Sequence, residues 1–139
     1  MTGPGQTPPT PQTVRVIHGA MVAGLILFGL VAHFVMLPKR SPGVGLIPLL
    51  PWLLGVSLVG CALGILLSMR VPRPSTNESP DPFWRRAAPL AMIAWTPLEG
   101  AGLLAIVVHS LTGSTAAAIV AIVAVIVFLL LNPSYFERR

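Results

Sequence analysis

Charge is what this sequence has least of. Asp, Glu, Lys and Arg make up only 9% of the 139 residues, and just four of them are acidic. A soluble domain carries about 25% charged residues, so a water-exposed globule is a poor starting assumption. Cysteine is nearly missing as well. The single Cys61 lies inside an apolar run, which excludes an intrachain disulfide and a cysteine-based metal centre and leaves a small packing residue. Aromatic residues are few and do not alternate with basic ones, so the net charge of +5 does not read as a nucleic-acid surface. No Ser-His-acid set, phosphate-binding glycine loop or cluster of metal ligands stands out, and the chain reads as non-enzymatic. Short alternating segments of the barrel type are lacking too, which leaves an all-α fold. The opening stretch MTGPGQTPPTPQT has no basic region ahead of an apolar one. It reads as a disordered tail over residues 1–13 rather than a cleaved signal.

What the chain does have is apolar length. Hydrophobic residues make up 54% of it, and its mean hydropathy is +0.82. Four runs, at about 15–37, 46–69, 87–111 and 115–131, each come near the roughly 17–25 residues that cross a bilayer. The sequence therefore predicts one multipass domain over 14–139, with four transmembrane helices in two hairpins. PKRSPG separates the first two runs, TGS ties the last two tightly, and a loop over 70–86 joins the pairs. Arg15, Arg70, Arg73, Arg85, Arg86, Arg138 and Arg139 fall on one side, and only Lys39 and Arg40 on the other. Positive charge stays inside. The expectation is a plasma (inner) membrane protein with both termini and the 70–86 loop in the cytoplasm, its basic residues against anionic lipid. Trp84, Tyr135 and Phe136 sit where interfacial anchors belong.

A faint internal repeat accompanies this plan. Shifted by 76 residues, the first run meets the third at Ile17/Ile93, Gly24/Gly100, Leu27/Leu103, Val31/Val107 and His33/His109. That pattern fits a tandem pair of hairpins entering from the same side. Gly60 and Gly64 form a small-xxx-small step, and Gly24 and Gly100 stand among other small residues. Positions of this kind let helix backbones approach in lipid.

One carboxylic acid breaks the apolar pattern. Glu99, in AWTPLEGAGLL, lies about 18 Å of helical rise from either end of its run. A charge there costs about 2.5–3.5 kcal/mol, so the acid must stay protonated or find a polar partner. Pro97 cannot donate to the carbonyl of Ile93, which predicts a helix kink and a free acceptor nearby. Thr96 and Ser57 are further candidate partners. Glu99 is then either a proton- or cation-binding group or a hydrogen-bonding tie between helices. PLEGAGLLAIVVHSL, preceded by GVSLVGCALGILL, resembles the hairpin of the proteolipid c subunits of rotary ATPases over residues 46–111 at most. That resemblance implies that Glu99 is the ion-binding carboxylate. The chain departs from that family in its incomplete glycine repeat, its longer proline-rich loop and its two additional spans.

His33 and His109 fall at one predicted depth, where two imidazoles could ligate a b-type haem or simply bond carbonyls or water; no other cofactor is expected. His18, near the opposite end, has no partner histidine. The leading expectation is a packing or assembly role, as a homo-oligomer or a subunit of a membrane complex. Proton or cation translocation through Glu99 is the alternative, and haem binding the weaker one.

Overall fold

The computed structural model of the chain describes residues 9–36 and 48–138, and within them every regular element is helical. Helix α1 spans Pro11–Val31, with Thr10 capping it through a bond from the Thr13 amide. Its start falls inside the stretch expected to be a tail, because Pro11 follows a capping threonine and suits the first helical turn. Residues 1–8 lie outside the described residues, as does the PKRSPG connection. The last turn after α1 widens into π geometry over Ala32–Met36. Helix α2 spans Leu50–Ser68, and α3 runs from Pro80 to Thr112. Helix α4 covers Thr115–Leu130, and a short α5 follows at Pro133–Glu137.

Two further features differ from the sequence expectation. Helix α3 begins seven residues early, at Pro80 rather than 87, because prolines at 80 and 82 sit in its first turn, where no amide partner is needed. Arg85 and Arg86 are therefore helical, and the true loop ends at Ser79. Helix α5 was not foreseen. The Asn132 side chain accepts from the Tyr135 amide ahead of Pro133, which starts a new turn.

Helices α1, α2 and α3 are each long and apolar enough to cross a membrane, and α4 is a shorter apolar helix. At 33 residues α3 is about 50 Å long, more than the roughly 30 Å of a hydrocarbon core. It forms the central post: α2 and α4 pack along it extensively, and α1 leans on it to a lesser degree. The expected pairing of α1 with α2 as a hairpin is not seen among the described residues, since both lean on α3 rather than on each other. Glycine explains the closest seam. A Cβ on Gly60 would come within 3.0 Å of the Ala101 Cβ and 3.1 Å of the Pro97 carbonyl, and one on Gly64 would strike Leu98 and the Ala94 carbonyl. Gly102 performs the same service toward Leu25 of α1, at 2.7 Å.

The core is polarised along the bundle. Trp84, Trp95, Phe83 and Phe128 are fully buried, with Phe136 beside them, near the end where α1 begins and α5 lies. Toward the middle the contacts are alanine, leucine and glycine. Large apolar side chains such as Leu27, Phe34, Val59 and Leu130 stand on the outside. Buried serines are satisfied locally: Ser57 donates to Leu53, Ser68 to Ile65 and Ser110 to Ile106, each to a carbonyl of its own helix.

Candidate functional site

Three polar groupings interrupt the apolar body. The first joins the ends of the chain. Arg15 of α1 reaches both carboxylate oxygens of Glu137 in α5, at 3.1 and 2.9 Å, and the Trp84 indole donates to the same carboxylate at 2.9 Å. Trp84 is thus fully buried, not an interfacial anchor. A carboxylate within reach gives its N–H a partner and lets the ring leave the surface. Next to it, the C-terminal carbonyls of α4, which have no amide partners of their own, are taken up by side chains. His18 Nε2 lies 3.0 Å from the Phe128 carbonyl, and Trp95 Nε1 donates to that of Leu131 at 2.9 Å. The Asn132 amide donates to Leu129. His18 is buried between Trp95 and Phe128. It is therefore a tie between α1 and α4. Sequence reasoning overlooked Glu137, although one acid in a chain with only four was a signal.

The second grouping surrounds Glu99. Thr96, Gly100, Leu103 and Val107 recur at helical spacing on one exposed face of α3, and Glu99 borders it, partly covered. The expected partners are engaged elsewhere: Thr96 donates to the Met92 carbonyl and Ser57 to that of Leu53. Among the described residues, Glu99 forms no hydrogen bond. Helix α3 continues through Pro89 and Pro97 without a break. Of the glycines expected to pack helices, Gly60 and Gly64 do so. Gly24 and Gly100 do not, because a Cβ on either would meet nothing within 4 Å. They lie on helix faces turned away from the bundle.

The third grouping brings His33 and His109 together at the end of the bundle opposite the start of α1 and α5. His33 Nδ1 lies 3.4 Å from His109 Nε2. The ring planes are parallel within 11° and their centroids are 5.7 Å apart. That separation is as large as a 3.4 Å nitrogen contact permits, so the rings meet edge to edge. His109 Nδ1 lies 3.1 Å from the Ser114 carbonyl. Gly113 makes this possible: its φ of 68° ends α3 in the left-handed conformation and swings Ser114 back over His109.

The partners fix the tautomers. A carbonyl only accepts, so neutral His109 carries its proton on Nδ1 and presents a bare Nε2. His33 must then donate from Nδ1, which leaves its own Nε2 an acceptor with no partner among the described residues. Haem does not fit this arrangement. Axial ligation needs the two nitrogens on opposite faces of a macrocycle, whereas here they share one hydrogen bond. Among the described residues no three His, Cys, Asp or Glu side chains cluster to hold a metal ion.

The pair stands at one end of an apolar groove between α1 and α4, floored by Ile106 of α3, with a volume of about 680 Å³. At the terminal end, the loop before α3 carries a small charged turn. Glu78 accepts from the Ser75 amide and hydroxyl and from Arg86, which also donates to the Arg73 carbonyl. The Ser75 amide bond, with help from the Arg86 charge, holds the Glu78 carboxyl below its usual range. No family model, curated protein or solved structure matches the chain, so the likeness of residues 46–111 to the proteolipid hairpin rests on that motif alone.

Proposed function

We propose that this chain is a non-enzymatic assembly element of a plasma (inner) membrane, with both termini cytoplasmic, and that it forms a homo-oligomer through the outward face of α3. The observation that carries this reading is the position of Glu99. It lies about 20 Å from the Thr112 end of its helix, without a hydrogen-bond partner among the described residues. In hydrocarbon such a group is costly when charged and under-satisfied even when protonated. A second copy of the same face would supply the missing partner, since a symmetric dimer brings like residues together and two protonated carboxyls satisfy each other. Gly100, with open space where a side chain would stand, lets that second backbone approach.

The test compares Glu99→Gln with Glu99→Leu, each measured as self-association by resonance energy transfer in lipid vesicles. Gln keeps a donor and an acceptor and should associate like the parent. Leu should weaken association by about 3- to 30-fold, the range of interhelical hydrogen bonds in lipid. A parent chain that stays monomeric at high protein-to-lipid ratio defeats the reading. Translocation becomes the better account if the parent carries a proton flux in vesicles that Glu99→Gln abolishes.

A further inference from the structure

We infer that the groove between α1 and α4 is a binding site for a single-chain amphiphile with an acidic headgroup, and that His33 is the residue that recognises the head. The groove has the shape and polarity gradient of such a molecule. Along its length it is lined by apolar side chains, among them Leu25, Ile106 and Val125, and it stays open because Gly29 and Ala118 add little bulk. Its polar residues, His33, His109 and Thr115, gather where α1 ends and α4 begins. A volume near 680 Å³ falls within the roughly 300–1,000 Å³ of ligand pockets.

The hydrogen-bond order selects the headgroup. His109 is committed at both nitrogens, to Ser114 and to His33. His33 spends its one N–H on His109, and its Nε2 lone pair has no partner among the described residues. The neutral pair therefore offers a base and no spare N–H donor. An acid fits that chemistry. Its proton passes to His33 Nε2, and the resulting imidazolium holds the carboxylate or phosphate by a charge-assisted bond. An ester of the same chain has no proton to give and gains only the apolar contact. The π turn at Ala32–Met36 carries His33, and such turns in helices are frequent at binding sites.

The experiment uses the full chain in phosphatidylcholine nanodiscs with diazirine-bearing palmitic acid, its methyl ester, and unlabelled palmitate or hexadecyl phosphate as competitors. Cross-linked peptides are mapped by mass spectrometry. The acid should label the groove faces of α1 and α4 at least about tenfold more than the ester, the effect of one charge-assisted hydrogen bond. His33→Ala, at an exposed position, should bring the acid down to the ester's level. Ala118→Phe should remove labelling by both. Displacement by palmitate alone marks a carboxylate-headed ligand, and displacement by hexadecyl phosphate a phosphate-headed one; either supports the site. Equal labelling by acid and ester, or an acid preference unchanged by His33→Ala, would overturn it. Circular dichroism of each variant separates loss of the site from loss of the fold, and the result is independent of oligomerisation through α3.

Discussion

The two ends of this helical bundle handle polarity in opposite ways. At the end where α1 begins and α5 lies, the buried polar side chains are all committed. Glu137 is held by Arg15 and Trp84, and the trailing carbonyls of α4 are closed by His18, Trp95 and Asn132. Large aromatic rings fill the space between. At the far end two histidines bond in series, and among the described residues one of them keeps an unpartnered lone pair and the apolar space behind them stays open. The difference shows what distinguishes a structural histidine from one available for binding. His18 and His33 have the same side chain, but His18 is buried against a carbonyl whereas His33 is exposed at a groove mouth.

That contrast can be broken most forcefully at Trp95. Trp95→Ala should destabilise the protein by about 3–5 kcal/mol, through the cavity and the orphaned Leu131 carbonyl. His33→Ala should cost less, about 0.5–1.5 kcal/mol for its one hydrogen bond to His109. Unfolding midpoints in a common detergent check both. Comparable losses would mean that the groove end is as tightly built as the other. A smaller effect is expected from His18→Phe, which keeps the ring but removes the donor. It should cost about 1–3 kcal/mol for the unsatisfied Phe128 carbonyl, read by the same assay.

The finest distinction lies at Glu78. Its carboxyl is held below the usual range, so its contribution is fully present above the ordinary glutamate pKa of about 4.3. The contribution disappears as pH falls through the lower folded value. Melting temperatures followed from pH 6 to pH 3 should fall for the parent, and Glu78→Gln should remove part of that fall. An identical pH profile for the two would show that this turn adds nothing to stability.

Much of the architecture was legible in the chain. Apolar runs announce helices because backbone groups without water must bond within their own segment. TGS announced a tight turn, and Gly60 with Gly64 announced a close seam, since spacing alone places small residues on one face. Gly24 and Gly100 also stand among small residues, yet among the described residues neither meets a neighbouring helix. Trp84 was misjudged for a related reason. Its position near a boundary suggested an anchor, and only the return of α5 brings Glu137 to its N–H. The partners of His18 and Glu99 were illegible because each depends on which helices lie alongside.

The sequence by itself determined the helices, their apolar character, the shared level of His33 and His109 and the isolation of Glu99 within the apolar run of α3. Each follows from local composition and from the 3.6-residue period. The tertiary structure alone decided that α3 is the central post, that Glu99 borders an outward face, and that among the described residues one end is closed by side-chain bonds while a groove stays open at the other. Those outcomes turn on packing between segments far apart in the chain. There a glycine, a ring or a carboxylate has meaning only through what meets it across the interface.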